Sequence, residues 1–155
     1  MEWMMITLKG IVSGFLASIG FGVLFNIRGK NLVLAGITGM IGTIVYLWAL
    51  YDGIGEILAC FIASICFSLC SEILARIQKT PVTTFLVCAL IPLVPGGGMY
   101  RMMLAAIQGN VDKAMSIGLQ TISIAGILVL GILIVSAATQ SYFRLKRVIK
   151  KRRLA

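Results

Sequence analysis

Histidine is missing from this sequence of 155 residues, and acidic residues are scarce. The five carboxylates are spread along the chain, at Glu2, Asp52, Glu56, Glu72 and Asp112. Metal-dependent catalysis draws mostly on histidine, cysteine and carboxylate clusters, and general acid–base catalysis on histidine or paired carboxylates. The sequence therefore disfavours an enzyme, and it predicts neither a metal site nor a bound cofactor.

Charge of either sign is also low, because charged residues make up 12% of the chain, against roughly 25% in a soluble domain. Hydrophobic residues make up 59%. So few charges cannot cover a water-facing surface, and disordered chains have the opposite composition. The sequence therefore predicts an integral membrane protein of the all-α class, in which helices satisfy their own backbone groups.

The cysteines give no redox or metal signal. Cys60, Cys66, Cys70 and Cys88 lie inside apolar runs and form no CxxC pair. Buried cysteine usually behaves as a small hydrophobic residue. We interpret all four as packing residues.

Five apolar segments approach or exceed the roughly 20 residues that a helix needs to cross the hydrocarbon core. They are predicted at residues 4–25, 32–50, 54–75, from 81 onward with an interruption, and 113–143. No A-x-A-like cleavage site follows the first segment, so we expect a permanent helix and not a signal peptide. The predicted organisation is one transmembrane helical domain, residues 1–143, followed by a basic cytoplasmic tail, residues 144–155.

Basic residues collect on one side of the membrane if there are five spans. Arg28 and Lys30 follow the first span, Arg76 and Lys79 follow the third, and seven more lie after residue 143. Positive loops mark the cytoplasmic side, so the N-terminus is predicted outside and the C-terminus in the cytoplasm. We interpret the tail as an anchor to anionic lipid headgroups, in preference to a nucleic-acid-binding segment.

Small residues recur at every fourth position in the first two spans. They are Gly10, Gly14, Ser18 and Gly22 in the first span, and Ala35, Gly39 and Thr43 in the second. Such strips let helix backbones approach closely. Packing within the chain is one interpretation, and association with a second copy or another subunit is the other.

A weakly polar stripe runs along the third span at four-residue spacing. It consists of Cys60, Ser64, Ser68 and Glu72. The stripe predicts either a hydrated route or serines bonded to their own helix. Glu72 is accordingly either paired with Arg76, four residues on, or a proton-coupling acid. Ionisable residues within spans are functional candidates, and Glu56 is the second candidate for proton coupling. In the last span Gln120 is expected to point inward, since exposing it to lipid is costly.

The fourth span is interrupted by prolines and glycines within TPVTTFLVCALIPLVPGGGMYRMM, residues 80–103. Thr80 followed by Pro81 predicts its first turn. A helix from Pro81 to Pro95 would rise only about 22 Å, less than the ~30 Å of the hydrocarbon core. Pro92 predicts a kink, and Pro95 with the three glycines after it predicts the end of the helix within the membrane. Backbone exposed there must be buried in protein or face a water-filled cavity.

This break is the predicted binding site for a small solute. Unwound glycines would expose backbone donors and acceptors, and the start of a second half-helix favours an anionic group such as a carboxylate. Arg101, in the helix expected after Gly98, would supply a positive charge. The competing interpretation is a tight turn at the membrane surface, with Arg101 reaching the headgroups.

Residues 91–101, IPLVPGGGMYR, resemble the motif of the threonine/serine exporter family, and in particular the small subunit that corresponds to the C-terminal half of the fused exporters. Residues 18–22, 26–28 and 105–109 also fit. The resemblance implies half of a bacterial inner-membrane exporter driven by the proton gradient, with a larger multi-spanning subunit supplying the other half. It implies threonine and serine as solutes, or succinate and related dicarboxylates. The motif and the break coincide on the substrate-binding candidates, which are Pro92, Pro95, Gly96, Gly97, Gly98, Tyr100 and Arg101.

Three other classes are less well supported. A non-transporting structural partner of another membrane protein would tolerate substitutions at the break. A small pore-former often carries a basic tail, but broken helices and buried prolines argue against it. A membrane-embedded enzyme would lack the acids and histidines that its chemistry needs.

Overall fold

The computed structural model describes the backbone of residues 2–152 and the side chains of residues 5–143. Within these limits the chain is helical and contains no strand. The elements are α1 Glu2–Leu24, α2 Lys30–Tyr51, α3 Glu56–Gln78, α4 Thr83–Leu90, a 3₁₀ turn Ile91–Leu93, α5 Gly96–Ile107 and α6 Val111–Arg152. The prediction of the all-α class is confirmed.

Four of the described helices are long and apolar enough to cross a membrane, and the bent pair formed by α4 and α5 brings the number to five if the pair is one broken span. The four are α1, α2, α3 and the part of α6 up to Phe143. These spans agree with the predicted ones to within a few residues. The backbone of α6 continues as helix to Arg152, but the side chains of the predicted basic tail, 144–155, lie outside the described residues.

The small-residue strips of α1 and α2 face each other. A Cβ added at Gly14 would meet Thr43, and one added at Gly39 would meet Ser18 and come within 3.5 Å of the Gly14 carbonyl oxygen. The two backbones approach this closely because neither strip carries a side chain large enough to separate them. Both strips are therefore engaged within the chain, and they give no support to a contact with a second copy.

Gly39→Ala should destabilise the protein, because the new methyl group would lie 2.7 Å from the Ser18 Cβ. Overpacking of this kind costs about 1–3 kcal/mol. Gly20→Ala is the matched control, since nothing lies within 4 Å of its added Cβ and alanine is favoured over glycine in helices by roughly 0.5–1 kcal/mol. We expect the midpoint of thermal unfolding in detergent to fall for the first variant and stay or rise for the second. A rise for both would contradict this packing.

Helix α3 lies at the centre of the bundle, in contact with α2, α4 and α6. Its inward face carries small residues, and Ala63 and Ser64 are completely buried. Ser64 lies against Gly131 of α6, where a Cβ would collide with it. Phe67 fills the remaining space and packs in one cluster with Leu93 of the 3₁₀ turn. The broken span is thus held on two sides, because α4 packs on α2 and α3 while α5 packs on α6.

The break itself lies at Val94 and Pro95. Val94 is extended, with φ −61° and ψ 129°, because a residue before proline is disfavoured in the helical region. The half-helices on either side differ in direction by 44°. The predicted break in the fourth span is therefore confirmed. The expectation that Gly96, Gly97 and Gly98 are unwound was wrong, because all three lie in the first turn of α5.

The predicted helix start at Thr80 was also wrong, since α4 begins at Thr83 and has no side-chain cap. The backbone N–H of Thr80 instead donates to the Ala75 carbonyl (3.0 Å) and closes the end of α3. The Thr80 hydroxyl is buried and has no hydrogen-bond partner among the described residues. Thr80 therefore belongs to the C-terminal cap of the preceding helix.

The described parts of the basic segments meet at one end of the bundle. Ile27, in the loop that carries Arg28, packs against the cluster containing Ala75 near the end of α3. Arg76, on the last turn of α3, lies against Phe143 of α6. The loops after α1 and α3 and the start of the tail segment are therefore neighbours.

Candidate binding cavity at the broken helix

A cavity of about 220 Å³ lies beside the break. Its walls come from α2, α3, the segment around the 3₁₀ turn, α5 and α6, and its lining residues include Tyr46, Glu56, Cys60, Pro92, Pro95, Gly97, Gly98, Arg101, Gln120 and Thr121. Drug-sized ligands occupy pockets of ~300–1,000 Å³. A cavity of this size suits a small metabolite.

The first turn of α5 borders this space through Gly97 and Gly98. The Gly96 N–H turns back to the Val94 carbonyl (2.7 Å), and the N–H groups of Gly98 and Met99 converge on the Pro95 carbonyl (3.1 and 3.2 Å). Within the described chain the Gly97 N–H has no backbone acceptor. The start of a helix carries partial positive charge, so Gly97 presents an anion-attracting surface to the cavity.

Arg101 adds a full positive charge one turn later on α5. Its Nε donates to the Gly97 carbonyl (3.2 Å), which holds the base of the guanidinium against the first turn. No carboxylate lies within ion-pair distance of Arg101 among the side chains of residues 5–143. Gly97 and Arg101 thus form a cationic wall of the cavity, and a guanidinium can bind a carboxylate through two parallel hydrogen bonds.

A carboxylate occupies another wall of the cavity. Glu56, the first residue of α3, accepts a hydrogen bond at Oε2 from Nε2 of Gln120 in α6 (2.9 Å). Tyr46 of α2 lies close enough to interact with Glu56. The acid is therefore positioned by residues from two other helices. Groups of three or more histidine, cysteine or acidic residues that could hold a metal do not occur in the described part of the chain.

The structure brings together most of the predicted substrate-binding residues and separates two from them. Pro92, Pro95, Gly97, Gly98 and Arg101 line the cavity, together with Glu56, a predicted proton-coupling residue.

Gly96 and Tyr100 are not among the lining residues. Tyr100 points away, with 67% of its surface exposed. Gly98 also supports the cavity wall, because an added Cβ there would meet Thr121 of α6 at 2.5 Å.

Glu72, the other proton-coupling candidate, lies at the opposite end of α3. It is buried, with 4% of its surface exposed. Its Oε2 pairs with Arg76 at 2.9 Å, and Ser136 of α6 donates a long hydrogen bond of 3.5 Å to its Oε1. The Arg76 guanidinium carbon in turn lies 3.6 Å from the centre of the Phe143 ring, within the range of a cation–π contact. These contacts link α3 and α6 at the basic end of the bundle.

The polar stripe between the two acids is buried in the helix interfaces. The Ser64 hydroxyl donates to the carbonyl of Phe61, three residues back in its own helix (2.7 Å). The Ser68 hydroxyl is buried and has no hydrogen-bond partner among the described residues. The interpretation that the serines bond to their own helix is thus correct for Ser64. It does not apply to Ser68, whose hydroxyl makes no such bond.

Sequence reasoning gave no role in the cavity to two polar lining residues, Tyr46 and Thr121. Tyr46 lies near the end of the second span, where an aromatic side chain is typical of the membrane interface. Thr121 donates to the Ile117 carbonyl (2.7 Å), as many threonines in membrane helices do. Neither residue carries a sequence signal that distinguishes it from these common roles.

A polytopic helical membrane protein with a charged cavity at a broken helix belongs structurally with the transporters, in which such breaks form binding sites. The comparison with known families specifies the group. The chain matches the model of the family described as Threonine/Serine exporter, ThrE, over residues 10–138, and it therefore belongs to that family. Neither the curated proteins nor the solved structures include a significant match.

Proposed function

We propose that this protein is the membrane subunit of a secondary exporter for small carboxylate-bearing metabolites, chiefly threonine and serine. The observation that carries the proposal is the cavity beside the broken helix, which Gly97 and Arg101 line together and where the Arg101 Nε donates to the Gly97 carbonyl. The solute carboxylate binds at this wall. Family membership supports amino acids as the solutes.

A larger, multi-spanning subunit completes the site in this proposal. Helix α5 packs mainly on α6, and its other faces are open, with 81% of Ile107 exposed. Lipid cannot satisfy the backbone groups freed at the break. A second membrane protein that covers α5 and the cavity would satisfy them, and the solute would then bind between the two subunits.

The proposed location is the bacterial inner membrane, with the N-terminus outside and the basic end of the bundle in the cytoplasm. The grouping of Arg28, Arg76 and Phe143 at one end supports this orientation, because basic loops mark the cytoplasmic side. Glu56 starts α3 at the other end. The cavity therefore lies in the outer half of the bundle.

The coupling ion is proposed to be the proton, carried by Glu56 or Glu72. Glu56 shares the cavity with the solute, so proton binding and solute binding can influence each other directly. Glu72 is paired with Arg76 at the other end, where it can take part only if that pair opens. The geometry favours Glu56.

Succinate and related dicarboxylates are the second candidate solutes, because the Gly97–Arg101 wall can bind any carboxylate. The test is efflux of labelled threonine, serine and succinate from cells that express this chain with and without its larger partner subunit. We expect efflux of threonine and serine only when both subunits are present, and slower efflux after the proton gradient is collapsed. Glu72→Gln should keep most of this efflux if Glu56 is the coupling acid.

Vector-only cells and cells with the partner alone are the controls. If cells with both subunits export the three solutes no faster than the control cells, the proposal is contradicted and a purely structural role is favoured. Equal efflux with and without a proton gradient would exclude proton coupling while leaving transport itself intact.

A further inference from the structure

The two charged walls of the cavity do not neutralise each other. Arg101 lines one wall and Glu56 another, and no ion pair joins them among the side chains of residues 5–143. The cavity therefore combines a site for an anion with a separate negative charge. Both side chains are exposed in this chain by itself. Once the proposed larger subunit covers the cavity, the effective dielectric constant falls and the Glu56 charge would repel a second anion.

The Glu56 carboxylate is also held in place. Gln120 donates to its Oε2 from α6 at 2.9 Å, and Gln120 is neutral, so it positions the carboxylate without cancelling its charge. The titratable or charged groups that face Glu56 in the cavity are Tyr46 from α2, Cys60 from α3 and Arg101 from α5. Of these, only Arg101 is a cation.

We propose that Glu56 binds the ammonium group of the solute whose carboxylate lies at Gly97 and Arg101. Glu56 is then a specificity-determining residue that admits zwitterionic amino acids and rejects dicarboxylates. The inference rests on the proposed function, because it assumes that the cavity binds the exported solute. It also gives the proton a direct competitor, since the ammonium group and the proton bind the same carboxylate in turn.

The test compares two ligands that differ only in the ammonium group. Threonine and 3-hydroxybutyrate both carry the carboxylate and the hydroxyl, but only threonine carries the positive charge. Affinities are measured by displacement of labelled threonine in membranes that contain this chain and its larger subunit. For a variant that no longer binds labelled threonine, the thermal shift of the purified complex is measured instead. We expect the unmodified complex to prefer threonine by about tenfold or more, which is the effect of roughly one charged contact.

Glu56→Gln should bring that ratio close to one and strengthen the binding of succinate. The ratio is informative because a general loss of affinity affects both ligands equally. Gln120→Ala is the second variant, expected to lower the ratio by releasing the carboxylate while keeping its charge. Asp52→Asn is the matched control, because Asp52 is an exposed acid only four residues before Glu56 and lies outside the cavity lining. The ratio of the two affinities should stay unchanged in this variant.

An unchanged ratio in Glu56→Gln would overturn the assignment of Glu56 and leave the proposed function standing. An unmodified complex that binds succinate more tightly than threonine would overturn it as well. A complex that binds none of the three ligands would instead remove the proposed function itself, so the two failures are distinguishable.

Discussion

Arg101→Gln should abolish solute export while the protein still inserts in the membrane. The substitution removes the only full positive charge in the cavity lining. It keeps an amide nitrogen at the position of the arginine Nε, which can still donate to the Gly97 carbonyl. Arg101 is exposed in this chain by itself, and in the proposed complex the larger subunit and the solute desolvate it. Removing one partner of such a charge pair costs about 2–5 kcal/mol, which corresponds to a fall in export of roughly 30-fold or more. The measurement is the initial rate of efflux of labelled threonine, normalised to the amount of protein in the membrane.

Lys113→Gln is the matched control for Arg101→Gln. Lys113 is an exposed cation near the start of α6 and is not part of the cavity lining, so its loss changes the net charge equally. We expect nearly normal export from this variant. Arg101→Lys should recover only part of the activity, because an ammonium group cannot bind a carboxylate through two parallel hydrogen bonds. Normal export by Arg101→Gln would remove Arg101 from the site.

Gly97→Leu should be comparably damaging, for a reason that only the structure supplies. Nothing lies within 4 Å of a Cβ added at Gly97, so the substitution does not disturb helix packing. The leucine side chain would instead enter the cavity that Gly97 lines. Displacement of a solute from its site by even ~1 Å can cost about 100-fold in rate. We expect efflux near background from a protein that unfolds at an almost unchanged temperature.

Gly96→Leu separates the effect of filling the cavity from that of disturbing the helix start. An added Cβ at Gly96 also meets nothing within 4 Å, and Gly96 lies in the same helical turn but outside the cavity lining. Export should therefore persist in Gly96→Leu. Gly98→Leu should fail differently, with a lower unfolding temperature, because its side chain would collide with Thr121. Equal export by the two variants at positions 96 and 97 would place the solute elsewhere.

The course of the chain through the membrane could be predicted because it depends on local physics. Apolar length determines where a helix can cross the hydrocarbon core, and the described spans agree with the predicted ones. Pro92 and Pro95 likewise predicted a broken fourth span, since proline removes a backbone donor wherever it lies. The exact end of the break was harder, because Gly96 to Gly98 can adopt helical and unwound backbone with little difference in energy.

The cavity depends on contacts between residues far apart in the chain. Gln120 and Glu56 are separated by 64 positions, and no periodicity within one helix indicates that their side chains meet. The partner of the α1 strip was ambiguous in the same way, because a strip of small residues accepts any close helix.

From composition and proline placement alone, this chain had to be a helical membrane protein with a break in its fourth span. These are properties of single segments, and the bilayer imposes them on each segment separately. Which side chains surround the break was decided by two sets of contacts, those of α3 with α2, α4 and α6 and those of α5 with α6. That packing brings Tyr46, Glu56, Arg101 and Gln120 to one cavity, because helices that share a lipid solvent are arranged by the fit of their surfaces and not by their hydrophobicity.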